Sequence, residues 1–209
     1  MQQAFVLKGA QGFEDKERIS IRFVKKTFLE QRGGSRQTET AADQLTRGWF
    51  AETQANRLGR VTLATGAIDD TPPITTPNSL PEDVVINSAG YPWVTEAQGN
   101  KIAIFKVSTI SGFVQYTVPT PGSEPYGIAL AADGETVWFT ERAGNKLARF
   151  NRAVSEFPVE FPLPTPNSSP TGIALDGAGC AWYTASAADR LGRLCPSAMG
   201  ATYLPLVLR

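Results

Sequence analysis

Histidine is missing altogether from this chain of 209 residues. No His general base, His metal ligand or Ser–His pair can therefore be built from it. An excess of either charge is missing too. Twenty Lys and Arg balance twenty Asp and Glu, interspersed along the chain. No basic stripe of the kind that neutralises phosphates is present, which excludes nucleic acid as an expected partner. No apolar run approaches the roughly 20 residues of a membrane-spanning helix. The N-terminal stretch MQQAFVLKGAQGFEDKER lacks the basic-then-apolar layout of a signal peptide. The expectation is a cytosolic chain, or one without its native start. Cysteine is scarce, with Cys180 and Cys195 alone.

What the chain does have is a repeat. Its four tryptophans, Trp49, Trp93, Trp138 and Trp182, stand 44, 45 and 44 residues apart. They sit in GWFAETQANRLGRV, PWVTEAQGNKIAIF, VWFTERAGNKLARF and AWYTASAADRLGRL, which begin at Gly48, Pro92, Val137 and Ala181. From the second repeat onward a proline-rich loop comes first: TTPNSLPED, PTPGSEPYG or PTPNSSPTG. A short apolar run follows, such as Ile128-Ala129-Leu130, and then a turn rich in residues that tolerate φ > 0. After the tryptophan strand come a second turn, a strand typified by Asn145 to Phe150, and a last short strand. Short strands separated by turns, recurring at this period, predict four-stranded antiparallel blades in an all-β, propeller-type array. A helical repeat of similar period would need stretches of roughly 10–15 residues with 3.6 periodicity, and residues 48–209 contain none.

The repeats are expected over 37–209. Thr40 to Asp43 stands where the innermost strand of the first repeat belongs. Residues 1–36 align with nothing, although Ile19 to Val24 alternates like a strand, so this segment is expected to form a partial blade or a cap, or part of a fifth, divergent blade. Cys180 precedes Trp182 by two residues and Cys195 follows it by 13. A hairpin turning near Ser186-Ala187 would set the cysteines opposite one another, either as a disulfide or as two half-buried thiols. A disulfide would favour an extracytoplasmic setting.

The pattern P-x-G-I-A-L, D-G, V-W-F-T-E and N-K-L-x-R-F, carried by Pro125 to Leu130, Asp133-Gly134, Val137 to Glu141 and Asn145 to Phe150, resembles the blades of the virginiamycin B lyase (streptogramin lyase) family. The fourth repeat shares it through Pro170 to Leu175 and Trp182 to Thr184. The resemblance implies a β-propeller whose relatives have seven blades. It also implies an activity, the linearisation of cyclic streptogramin B antibiotics by elimination across an ester bond, with a histidine base and a magnesium ion on one face of the ring. Two departures stand out: four clear blades, and no histidine. At the second position of the P-x-G loop, where a histidine could face the channel, stand Glu82, Tyr126 and Thr171.

A residue that recurs in every blade organises blades, because a catalytic constellation is asymmetric. On this reasoning the tryptophans fill the interfaces between adjacent blades. Glu52, Glu96 and Glu141, each four residues before an Asn, are expected to brace the following turn or to pair with a neighbouring basic side chain. Function is sought instead at positions that vary between repeats on the channel face. Glu82, Asp83, Tyr126 and Arg142 are the candidate ligand-binding residues.

Three functional expectations follow. The first is a binding or scaffold propeller, without the histidine-dependent reaction, taking a small-molecule or protein ligand on one face. The second is a metal-assisted lyase or lactone hydrolase, in which channel-face carboxylates hold Mg²⁺ or Ca²⁺ through oxygen. The third is a partial propeller whose exposed blade faces invite another chain, a homo-oligomer included.

Overall fold

The computed structural model describes residues 22–23, 47–106, 112–197 and 200–206. Among these, sixteen strands form four four-stranded antiparallel sheets, each built from strands consecutive in the chain. Blade 1 contains β1 (Arg22–Phe23), β2 (Arg47–Glu52), β3 (Arg57–Thr62) and β4 (Ile68–Asp70). Blade 2 contains β5 (Pro81–Ile86), β6 (Pro92–Glu96), β7 (Lys101–Phe105) and β8 (Phe113–Thr117). Blade 3 contains β9 (Pro125–Leu130), β10 (Val137–Glu141), β11 (Lys146–Phe150) and β12 (Val159–Pro162). Blade 4 contains β13 (Pro170–Leu175), β14 (Ala181–Ala185), β15 (Arg190–Ser197) and β16 (Gly200–Leu206). The four expected blades are all present. The innermost strand of blade 1 is Arg22–Phe23, paired to Trp49 and Gly48, so part of the segment set apart at 1–36 completes a recognised blade. Thr40 to Asp43, and the rest of a divergent fifth blade, lie outside the described residues.

The tryptophan strands read as near-continuous apolar runs because both faces of each are covered. All five positions of β6 and of β10 are buried, as in strands sandwiched between neighbours. Three apolar clusters, one per blade junction, form the core. Trp49 packs with Val84, Phe105 and Phe113 of blade 2, and Trp93 with Ile128, Phe139 and Phe150 of blade 3. Trp138 packs with Ala181, Tyr183 and Leu194 of blade 4. The expected interface role of tryptophan is therefore realised at each of these junctions. Burying roughly 200 Å² of indole at about 25 cal/mol per Å² contributes at most on the order of 5 kcal/mol per junction.

Polar groups lock the same junctions. Thr95 Oγ1 donates to the Tyr126 carbonyl at 2.6 Å, and Thr140 Oγ1 to the Thr171 carbonyl at 3.1 Å. Each hydroxyl thus ties a second strand to the innermost strand of the next blade. Gly127 makes that approach geometrically feasible: a Cβ there would lie 2.1 Å from the Thr171 carbonyl oxygen.

The repeated asparagines do more than the local turn work expected of them. Asn56, Asn100 and Asn145 adopt left-handed φ of 55°, 52° and 54°, which asparagine tolerates better than most residues. Their side chains then reach the proline loop leading to the next blade. Asn100 Nδ2 donates to the Val118 and Thr120 carbonyls at 3.1 and 3.0 Å, and its Oδ1 accepts from Ser123 N at 2.8 Å. Asn56 and Asn145 make the equivalent bonds to Ser79 and Ser168. In blade 4, the Sγ atoms of Cys180 and Cys195 lie 2.10 Å apart, at bonding distance. They occupy the position after the Ala181–Leu194 pair, the opposed placement expected of them.

Candidate functional site on the channel face

The first-to-second strand junctions of blades 2, 3 and 4 share one register, in which Pro81 faces Glu96, Pro125 faces Glu141 and Pro170 faces Ala185. One residue beyond each pair lie Glu82 and Ala97, Tyr126 and Arg142, and Thr171 and Ser186. These are the positions that vary between repeats, and each pair differs in chemistry.

Blade 3 carries the most developed group. The Arg142 guanidinium lies 4.4 Å from the Tyr126 ring centroid, and its Nε donates to Glu124 Oε2 at 3.0 Å. Arg142 N also donates to the Glu124 carbonyl at 3.0 Å. Glu124 itself sits at a left-handed φ of 54°, like Leu80 at 50° and Ser169 at 48° in the corresponding places. The backbone is therefore common to the repeats, while the side chain is particular to blade 3. All three residues are half-buried, so the stacking and the ion pair each contribute on the order of 1 kcal/mol or less. The result is an aromatic ring held flat beneath a cation. Sequence reasoning brought Tyr126 and Arg142 to one face but passed over Glu124, whose only signal was an acid in place of Leu80 and Ser169.

Blade 4 replaces this group with hydroxyls. Thr171 Oγ1 lies 3.0 Å from Thr184 Oγ1 and 2.5 Å from Ser186 Oγ. Glu82 occupies the equivalent strand position in blade 2 and is half-buried. Asp83 is differently employed. Its Oδ1 accepts from Val84 N at 2.9 Å, and its Oδ2 accepts from Ile128 N of the next blade at 3.1 Å. One oxygen serves its own strand and the other ties blade 2 to blade 3.

The recurring glutamates depart from expectation in two blades. Glu52 pairs with Arg57 at 2.6 Å, as foreseen. Glu96 and Glu141, expected to brace the turn or to pair with a basic side chain, are instead fully buried, tucked beneath Gly99 and Gly144. Glu96 accepts from Gln115 Nε2 at 2.8 Å through each oxygen. Burial still raises its pKa, against the opposing hydrogen bond from Gln115 and the charge of Lys101. In blade 3 the residue matching Gln115 is Glu160, which faces Ala148 as Gln115 faces Ala103. Glu160 takes Lys146 Nζ at 2.5 Å, and Ser123 Oγ is committed to Asn100 at 3.0 Å. Neither oxygen of Glu141 has a hydrogen-bond partner among the described residues. Burial, with the nearby charge of Glu160, pushes Glu141 up to about 8. It is a neutral acid at pH 7.

Asp83 is engaged by two backbone amides, and Glu96 and Glu141 are fully buried. Among the described residues, no group of three or more Asp, Glu or Cys side chains is placed to hold a metal ion.

Blades, junctions and channel face together define a β-propeller array. Within that class the chain is a virginiamycin B lyase-like propeller. The virginiamycin B lyase of Staphylococcus aureus aligns at 31% identity and a TM-score of 0.65, over 77% of this chain and 52% of that one. A streptogramin B lyase structure aligns at 28% identity and 0.67, over 77% and 51%. A Bacteroides fragilis protein assigned as a 6-phosphogluconolactonase, at 13% identity and 0.58 over 78% and 55%, shares the fold alone. The chain spans about half the length of the lyases it resembles. No family model and no curated protein matches the sequence.

Proposed function

We propose that this chain is a ligand-binding propeller that does not perform the ring-opening reaction named for its lyase relatives. The observation that carries this reading is the channel face itself. Where a proton-transferring side chain would be needed, it offers Tyr126 held under Arg142, the Thr171–Ser186 hydroxyls and Glu82, and the chain has no histidine. An aromatic ring, a guanidinium and hydroxyls recognise a ligand by stacking and hydrogen bonding, and Glu82 is the carboxylate among these groups with the chemistry of a general base. The buried acid Glu141 has a suitable pKa but no access to the face. Binding of a small molecule or a peptide loop is the role these groups support.

The test is incubation of the chain with virginiamycin B, with and without added Mg²⁺ or Ca²⁺, followed by chromatography for the linear product. No linear product is expected under any of these conditions. Ring opening that depends on the divalent ion would replace this reading with the metal-assisted one. Ring opening without added ion would overturn both.

A further inference from the structure

Blades 2 and 3 build the same lid over the same acid. After Glu96, Ala97 N donates to the Leu80 carbonyl, and Gln98 N and Gly99 N to the Ser79 carbonyl, all at 3.0 Å. After Glu141, Arg142 N donates to the Glu124 carbonyl, and Ala143 N and Gly144 N to the Ser123 carbonyl, again at 3.0 Å. These bonds close each turn onto the proline loop that leads into its blade. The carboxyl lies directly beneath: a Cβ on Gly99 or Gly144 would meet Oε2 of Glu96 or Glu141 at 2.9 Å. Both acids are 0% exposed. The lid is thin, since Gln98 and Ala143 within it are exposed.

What differs is the donor underneath. Glu96 receives Gln115 Nε2 at both oxygens. In blade 3 the matching groups are already engaged. Lys146 Nζ is bonded to Glu160 and Thr120. Glu160 also accepts from Thr120 N and Thr120 Oγ1, each at 2.7 Å, and Ser123 Oγ donates to Asn100 Oδ1. Two charges act on Glu141: Glu160 of β12 disfavours its anion, and Lys146 of β11 favours it but is tied to Glu160. On the remaining sides, β9 opposes it with Pro125, the loop carries Glu124 paired to Arg142, and blade 2 presents the neutral Asn100. Both oxygens of Glu141 are without a hydrogen bond among the described residues. An anion formed there is stabilised only if the lid lifts and admits water, which breaks the three backbone bonds that hold it.

We propose that Glu141 is a proton-operated latch on the ligand group of blade 3. Protonated, it leaves residues 142–144 closed on the loop. When it gives its proton to solvent, the turn opens and Arg142 leaves Glu124 and the Tyr126 ring. Arg142 is the first residue of the turn, so its seat 4.4 Å from the ring centroid and its bond to Glu124 both require the lid to be shut. The closed form holds the proton to higher pH than the open one, so opening is favoured as pH rises. Blade 2 has the lid without the latch, because Gln115 meets its acid in either state. The use of the latch in ligand release rests on the ligand reading of the channel face, but the latch is tested with no ligand present.

Hydrogen exchange of the ligand-free chain, followed by NMR amide by amide and corrected for the intrinsic rate at each pH, tests this. Between pH 6 and pH 9 the protection of Arg142, Ala143 and Gly144 should fall by about 10-fold or more, while that of Ala97, Gln98 and Gly99 changes by less than about 3-fold. Glu141→Gln should abolish the pH dependence. Glu160→Gln gives blade 3 the donor that Gln115 gives blade 2. It should reduce the dependence to the blade 2 level, and it carries the test if Glu141→Gln does not fold. Protection at 142–144 that is flat with pH in the wild type, that falls equally in the blade 2 turn, or that still falls about 10-fold in either variant would overturn the latch. Each of those results leaves the ligand reading standing, since that reading is decided by the virginiamycin B incubation.

Discussion

Gly127→Ala is expected to destabilise the protein by about 3 kcal/mol or more, while Gly172→Ala, at the same place in the next repeat, should change stability by less than about 1 kcal/mol. Both glycines sit on an innermost strand, third in a P-x-G triplet, and the sequence offers no reason to treat them differently. The difference lies in what each faces. A methyl group on Gly127 would fall 2.1 Å from the Thr171 carbonyl oxygen, a backbone atom that cannot yield without separating blades 3 and 4. It would also part Thr140 from the carbonyl it donates to. At Gly172 the nearest atom is Thr184 Oγ1 at 3.1 Å, on an exposed side chain whose bonds to Gly172 N and Thr171 Oγ1 water can replace if it turns aside. Alanine also loses less backbone freedom than glycine on folding, which offsets part of that contact. Chemical denaturation of the two variants against wild type measures both values. Equal losses would show that the innermost strands do not carry the junction.

The second large effect is a pH dependence centred on Glu141. Its carboxyl holds a proton up to about pH 8 in the folded protein, because burial first and the charge of Glu160 second disfavour the anion. In the unfolded chain it loses that proton near the ordinary value of 4.5. Between those values the folded state binds one more proton, so stability falls as pH rises. The loss runs at about 1.4 kcal/mol per pH unit at its steepest and levels off above pH 8. Glu141→Gln keeps the shape and removes the titration. It should leave stability at pH 5 nearly unchanged and raise it by on the order of 3 kcal/mol at pH 9. Glu96 is shifted in the same direction, so a shallower slope of the same sign should remain in the variant. Glu160 behaves oppositely. Although burial works to raise its pKa, hydrogen bonds from Lys146 and Thr120 hold it below the ordinary value, and its contribution is lost only in acid. Urea titrations at pH 5, 7 and 9 separate these effects. An unchanged slope in Glu141→Gln would show that this carboxyl is ionised in the folded protein.

The contrast between Glu96 and Glu141 marks the reach of sequence reasoning. Both follow Trp-x-Thr, and both precede an asparagine turn by the same interval. Whether the acid meets a hydrogen-bond donor depends on a residue two strands away, Gln115 in one blade and Glu160 in the other. That pairing exists only once β8 and β12 have taken their registers. Asp83 shows the same limit. Beside a proline loop it looked like a free channel-face carboxylate, but its partner Ile128 N lies 45 residues away in the next blade.

By itself the sequence determined the blades. A tryptophan every 44 or 45 residues, apolar runs too short for helices, and Gly and Asn at turns encode local strands and hairpins, and these repeat because each blade must cover the same face of its neighbour. It also determined that no imidazole chemistry is open to this chain. The tertiary structure alone decided which equivalent residues are equivalent in fact. Trp138 and Trp182, Gly127 and Gly172, and Thr140 and Thr184 share sequence context, yet one member of each pair is enclosed and the other is open. Burial, and with it the cost of a methyl group, a proton or an exposed indole, is set by what packs on a residue from another blade, and the residue's own neighbours in the chain do not carry that information.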